Sequence, residues 1–157
     1  MVYKLEINGW SAGITFSACH MVPEINKCSR LHGHTYAVHA RIYGEKAEKG
    51  MVLDFGIVKE TLKKIIDKLD HKVLLPKAKV KKENKKIKIV EGKKEYNFPI
   101  EDVMMLELKS ITAENLVAYL LEEFTKELQL KQKKNISEVA LGLDEGWGQG
   151  VWLRKKL

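Results

Sequence analysis

The chain has 157 residues and a mass of 18.0 kDa, the size of one domain, and 45% hydrophobic residues supply an ordinary core, which argues against disorder and against two domains. Its formal charge of +7 is local: residues 77–94, KAKVKKENKKIKIVEGKK, hold nine lysines and two glutamates, and elsewhere 19 basic residues balance 19 acidic ones. Apolar runs are only a few residues long and Lys4 and Glu6 interrupt the N-terminus, so neither membrane insertion nor export is expected, and the cytoplasm is the expected compartment.

Residues 2–16 place Tyr3, Leu5, Ile7, Trp10, Ile14 and Phe16 in loose alternation, which predicts one long strand bent near Gly9 and Gly13. The run HTYAVHARIY, residues 34–43, predicts a second strand paired with the first, and the polar EKAEKG then forms a loop into MVLDF. Beyond Asp54, the spacing of Val58, Leu62, Ile65, Ile66 and Leu69 predicts an amphipathic helix ending near residues 69–71. KIKIV and EYNF predict a small hairpin turning at residues 91–94, an embellishment in a solvated, lysine-rich protrusion. That abundance of Lys and Glu also suits a hot environment. Thr112 caps a second helix whose stripe of Leu116, Val117, Leu120, Leu121, Phe124 and Leu128 is core rather than a cofactor box. ISEVALGLDEG and GVWLRKK predict two closing strands around Gly146, Gly148 and Gly150. The order predicts an α+β fold, with an antiparallel sheet and the helices on one face.

Three of the five histidines cluster along the chain. His32 and His34 are two apart in an extended segment and project to one face, while Gly33 between them lets the backbone bend. His20 lies just past the first strand, where antiparallel pairing brings it beside the other two. Three neutral imidazoles suit zinc and leave a fourth tetrahedral position open for a substrate. Cys28 either completes a closed structural site or stands free as a thiolate beside the metal, and Cys19, in the apolar run FSAC, reads as packing. Asp70 and His71 offer a carboxylate that orients and charges an imidazole, or simply a favourable helix end. Asp144 and Glu145 precede a glycine-rich turn, where a carboxylate can accept two N–H groups from an aminopyrimidine edge.

CSRLHGH, residues 28–34, resembles the C-x3-H-G-H signature of the 6-carboxytetrahydropterin synthases within the 6-pyruvoyltetrahydropterin synthase superfamily. FSACH (16–20), VLDF (52–55), LDH (69–71), ITAEN (111–115) and the strand ending at Glu145 match in family order. The resemblance implies a single domain over residues 1–157, with a basic insertion at about 76–105. It implies the tunnelling fold, a four-stranded antiparallel sheet with two helices on one face, whose subunits join their sheets into a β-barrel. A homohexamer of two trimers is implied, with active sites between subunits and no active monomer. His20, His32 and His34 are then the zinc ligands, Cys28 the catalytic thiolate, and Asp70 with His71 its acid/base partners. Glu145 anchors the pterin's aminopyrimidine edge, with Asp144 as the neighbouring candidate, and Thr112 helps to hold the ring.

The implied reaction converts 7,8-dihydroneopterin triphosphate to 6-carboxytetrahydropterin with loss of triphosphate and acetaldehyde, toward the 7-deazaguanine (queuosine- or archaeosine-type) nucleosides of tRNA. Relatives of the same fold instead make 6-pyruvoyltetrahydropterin, by triphosphate elimination alone, or cleave the side chain to a folate-type pterin. A remote alternative is a zinc-stabilised nucleic-acid-binding module with Cys28 as fourth ligand and the lysines on phosphates. It leaves Asp70, His71 and the Thr112 region unexplained, so no nucleic-acid or membrane partner is expected.

Overall fold

The computed structural model describes residues 1–23, 25–47 and 49–157; Glu48, inside the expected loop EKAEKG, lies outside the described residues. In chain order the elements are β1 (Tyr3–Ile7), α1 (Gly9–Ala12), β2 (Thr15–His20), β3 (His32–Gly44), α2 (Phe55–Ile66), β4 (Lys72–Pro76), β5 (Val80–Glu83), β6 (Lys86–Glu91), β7 (Lys94–Pro99), β8 (Val103–Leu106), α3 (Ala113–Glu127), β9 (Ile136–Glu145) and β10 (Gly150–Lys156).

The expected single strand over residues 2–16 is two strands separated by a helical turn. Asn8 accepts a hydrogen bond from the Ser11 N–H, starting the turn, and Gly13 ends it in the left-handed region at φ 63°. The side chain that Gly9 lacks would sit 2.3 Å from the Val38 carbonyl oxygen, so only glycine lets this turn lie against β3. β3, at 13 residues, is long enough to pair with β1 along its second half, Tyr3 opposite Gly44, and with β2 along its first, His20 opposite His32. β9 pairs antiparallel along its other side, and β10 pairs with β9.

Among the described residues the main sheet has seven strands rather than four, ordered β10-β9-β3-β2-β4-β8 with β1 also on β3. It is mixed, because β4 runs parallel to β2 and β8 parallel to β4. The residues KVLLP and VMML lack the alternation of a one-sided strand because both faces are covered. Leu74 points into the main core, whereas Val73 and Leu75 join a second cluster with Met21, Ile87, Ile89, Tyr96 and Phe98. That second cluster is roofed by β5, β6 and β7, an antiparallel three-stranded sheet containing the expected hairpin with its turn at residues 91–94. The lysine-rich segment is therefore amphipathic: Ile87 and Ile89 are buried, and Lys81, Lys86 and Lys94 face solvent.

α2 and α3 lie on one face. Val58, Leu62, Ile65 and Ile66 of α2 and Leu116, Val117, Leu120, Leu121 and Phe124 of α3 share one core with alternate strand residues, Phe16 and Ala18, Tyr36 to Ile42, and Val139 to Leu143. Each buried Val, Leu, Ile or Phe side chain among them contributes about 1.5–3 kcal/mol on burial. α2 begins directly beyond Asp54, as expected, because the Asp54 carboxylate accepts the N–H groups of Gly56 and Ile57, but it ends at Ile66 rather than near residues 69–71; MVLDF is the irregular approach to that cap.

Candidate active site

His20 closes β2 and His32 opens β3, and the antiparallel register sets them directly opposite each other. His34, two residues on, projects to the same face, and the nearest ring nitrogens of all three lie within 4.8 Å of one another. Gly33 between them continues a regular strand. A β-carbon there would come within 3.1 Å of the Ala18 carbonyl oxygen and 3.3 Å of the Cys19 sulfur, so its role is close strand packing rather than a bend.

Backbone carbonyls fix two of the rings. The Nδ1–H of His20 donates to the Ile111 oxygen and that of His32 to the Arg30 oxygen, each at 2.7 Å, which leaves a lone pair on Nε2. Burial pushes the His20 pKa down to about 4, and the neighbouring imidazoles push the same way, so this ring is neutral at neutral pH. Among the described residues, three buried side-chain atoms have no hydrogen-bond partner: Nε2 of His20, Nε2 of His34 and the hydroxyl of Tyr36. Buried polar atoms are costly when unpaired. Two unpaired imidazole nitrogens converging beside a third imidazole fit a metal ion with an open coordination position.

A cavity of about 240 Å³ opens on this cluster and is also lined by Cys28, Thr112, Glu145 and Gln149. Cys28 sits in a helical turn, Asn26–Ser29, tied to the end of β2 by a 2.7 Å hydrogen bond from the Val22 N–H to the Cys28 carbonyl. Thr112 caps α3, its hydroxyl oxygen accepting the Asn115 N–H at 3.4 Å, and the preceding residue, Ile111, is the acceptor for His20. The start of α3 thus bears on both His20 and the cavity. A Glu145 oxygen lies 4.0 Å from Nε2 of His20. Asp144 projects to the opposite face of β9, where one oxygen accepts from Nε1 of Trp10 at 2.8 Å and Nε2 of His39 at 3.0 Å.

Asp70 and His71 do not line this cavity in the same chain. His71 borders a larger, open hollow of about 630 Å³ together with Ser17, Cys19, Lys72 and Asp102, and His34 edges both spaces. The backbone at His71 is left-handed, φ 57°, a costly conformation for a side-chain-bearing residue. It is locked by β2: the Ser17 N–H donates to the Asp70 carboxylate at 2.8 Å, and the His71 N–H donates to the Ser17 carbonyl at 2.7 Å. Desolvation pushes the Asp70 carboxyl up, but the Ser17 N–H and the His71 imidazole, 2.8 Å from its second oxygen, outweigh it and hold it below the usual range. An ionised Asp70 keeps the proton on Nδ1 of His71 and presents Nε2 to the exposed side.

Two lining or adjoining residues escape the sequence reasoning. Tyr36 continues the series His32, His34 on one strand face, so the period of two contains the signal. Gln149, in the turn after Glu145, carries no signal that distinguishes it from other polar turn residues.

This architecture is that of the tunnelling-fold pterin synthases. The crystal structure of Plasmodium vivax 6-pyruvoyl tetrahydropterin synthase matches with a TM-score of 0.91 at 25% identity, covering 100% of this chain and 99% of that one. The Plasmodium falciparum 6-pyruvoyl tetrahydropterin synthase structure matches with a TM-score of 0.89 at 29% identity over 99% of each chain. A protein of Methanocaldococcus jannaschii provisionally named 6-carboxy-5,6,7,8-tetrahydropterin synthase is 39% identical over 158 residues, 98% of this chain and 97% of its own length. The Rickettsia felis 6-carboxy-5,6,7,8-tetrahydropterin synthase is 34% identical over 131 residues, 82% of this chain and 88% of that protein. The family model for 6-pyruvoyl tetrahydropterin synthase matches residues 11–154, and the chain belongs to that family.

Proposed function

We propose that this protein is a zinc-dependent 6-carboxytetrahydropterin synthase, converting 7,8-dihydroneopterin triphosphate and one water to 6-carboxytetrahydropterin with release of triphosphate and acetaldehyde, on the route to 7-deazaguanine nucleosides of tRNA. The observation that carries the reading is the convergence of unpaired histidine nitrogens with Cys28, Thr112 and Glu145 on one cavity. The synthase names of relatives at 39% and 34% identity support the carboxy product.

His20, His32 and His34 would hold the metal, which supplies Lewis acidity toward the oxygens of the substrate side chain. The Glu145 carboxylate accepts N–H groups of the pterin edge and orients the ring, with Thr112 beside it. Cys28, as thiolate, removes a carbon-bound proton from the side chain, and His71, held by Asp70, gives and takes protons during tautomerisation. Because His71 faces a different hollow from Cys28 of its own chain, the reading requires that a neighbouring copy bring its Asp70 and His71 to this cavity. The active form is then an oligomer, a hexamer of two trimers joined through their sheets. Residues 76–105 are an insertion that braces the sheet edge.

The test is incubation of zinc-loaded protein with 7,8-dihydroneopterin triphosphate, with mass spectrometry of the pterins and a separate acetaldehyde assay. Carboxytetrahydropterin with acetaldehyde is expected. Pyruvoyltetrahydropterin without acetaldehyde would move the activity to the sister reaction, and no triphosphate release from an assembled, metal-replete sample would refute both.

A further inference from the structure

Of the three buried atoms without a partner, a metal ion accounts for two, and the Tyr36 hydroxyl is left over. Its placement is tightly determined. Tyr36 is wholly buried, and its ring stacks on Phe16 of the neighbouring strand at 4.8 Å between centroids and 12° between planes. The ring lies 5.4 Å from that of His34 and 6.1 Å from that of His20, so it stands where the main core meets the histidine cluster. Directly opposite Tyr36 across the β3–β9 ladder is Glu145. Residues opposite one another in a ladder share a face with their β-carbons about 4.5–5.5 Å apart, so the phenol and the carboxylate project side by side.

A phenol can donate, and an ionised carboxylate can only accept. An ordinary phenol holds its proton at neutral pH, so the hydroxyl is a donor. In the free protein it closes no hydrogen bond of good geometry with Glu145. Glu145, for its part, has one oxygen 4.0 Å from Nε2 of His20, and its side chain is partly exposed on the cavity. A carboxylate has about four acceptor sites, of which a pterin edge would take two.

We propose that Tyr36 is a positioning residue for the substrate anchor: its hydroxyl donates to the Glu145 carboxylate when the cavity is filled and fixes that carboxylate in the plane of the pterin's N–H edge. The inference rests on the pterin reading above and adds to it a residue that touches neither substrate side chain nor metal. Phe16 supplies the rigidity, since the stacked ring cannot swing its hydroxyl elsewhere.

The experiment is a double-mutant cycle on the zinc-loaded full chain with Y36F, E145Q and the double variant. Equilibrium binding of 7,8-dihydroneopterin, kcat and KM for its triphosphate, zinc content and melting temperature are all measured. Phenylalanine keeps the ring and the Phe16 stack and deletes an atom that has no partner in the free protein, so Y36F is expected to hold one zinc and to melt no lower than wild type. Its Kd for the pterin and its KM rise about tenfold, with kcat within about twofold, the size of a lost charge-assisted hydrogen bond. In the E145Q background the same substitution changes Kd by less than about twofold, because the group it positions is gone. Unchanged pterin affinity in Y36F, or a full tenfold effect that persists beside E145Q, would overturn the inference. So would loss of zinc or a lowered melting temperature in Y36F, which would make the hydroxyl a structural group. A wild-type protein that binds no pterin would overturn the functional reading itself, and this inference with it.

Discussion

Replacing Asp144 by alanine and, separately, Glu145 by glutamine distinguishes two adjacent carboxylates, Glu145 the expected anchor and Asp144 the neighbouring candidate. β9 sends them to opposite faces. Asp144 is a structural acceptor: one of its oxygens takes the Trp10 indole N–H at 2.8 Å and the His39 imidazole N–H at 3.0 Å, and His39 is itself fixed because its Nδ1 accepts the Gly9 N–H. D144A leaves two donors without an acceptor, His39 among them almost wholly buried, and each such loss costs about 1–3 kcal/mol. The sum is about 3 kcal/mol, and for a chain of this length each kcal/mol lowers the melting temperature by about 2–4 °C, so a fall of about 6–12 °C is expected. E145Q removes a charge that accepts no protein hydrogen bond of good geometry among the described residues, and the melting temperature should shift by no more than about 2 °C. Pterin affinity should behave the other way round, unchanged within about threefold in D144A and reduced at least about tenfold in E145Q. Thermal melts at fixed protein concentration and fluorescence titration with 7,8-dihydroneopterin read both quantities. A D144A protein that melts normally yet fails to bind the pterin, beside a competent E145Q, would refute this division of roles.

The metal-free protein should lose stability on acidification through His20. Its folded pKa, about 4, lies below the ordinary histidine value, so as the pH falls from about 6.5 the unfolded state takes up the proton first, and about 3 kcal/mol present above pH 6.5 is lost by pH 4. Urea denaturation of metal-free protein across that range checks the sign, and a flat profile would contradict it. Cys28→Ala should retain bound zinc while losing turnover by at least about a thousandfold, whereas Cys19→Ala, which lines the other hollow, should keep most of both; zinc analysis beside a triphosphate-release assay decides. Met21→Ala should cost about 3 kcal/mol, because Met21 is a buried member of the cluster beneath the three-stranded sheet. Since it stands between His20 and Val22, whose N–H holds the Cys28 carbonyl, zinc affinity should fall as well, and a variant that is destabilised but binds zinc normally would detach this sheet from the site.

What the sequence revealed of this architecture follows from the range of the interactions. The two-residue spacing of His32 and His34 and the Thr112 cap are local patterns, and the structure puts both where those patterns indicate. The two-strand approach of His20 also follows once residues 15–20 and 32–37 pair. β4 and β8 are short, apolar on both faces and paired in parallel with strands distant in the chain, so no alternation marks them. The break between β1 and β2 is written in Asn8 and Gly13, but the apolar residues flanking it read as continuous. The lysine-rich segment looked solvated because nine lysines outnumber the few isoleucines and aromatics that seat it on the sheet. The separation of Asp70 and His71 from the histidine cavity is a property of where β4 leaves the sheet, which no local pattern encodes.

The most direct test of the account is the metal itself. Zinc titrated into metal-free wild-type protein, and into His20→Ala, His32→Ala and His34→Ala, should bind at one ion per chain in the wild type, with each substitution weakening it by at least about a hundredfold. Equal stoichiometry and affinity in all four proteins would show that the three imidazoles are not the ligands, and the proposed site would fall with them.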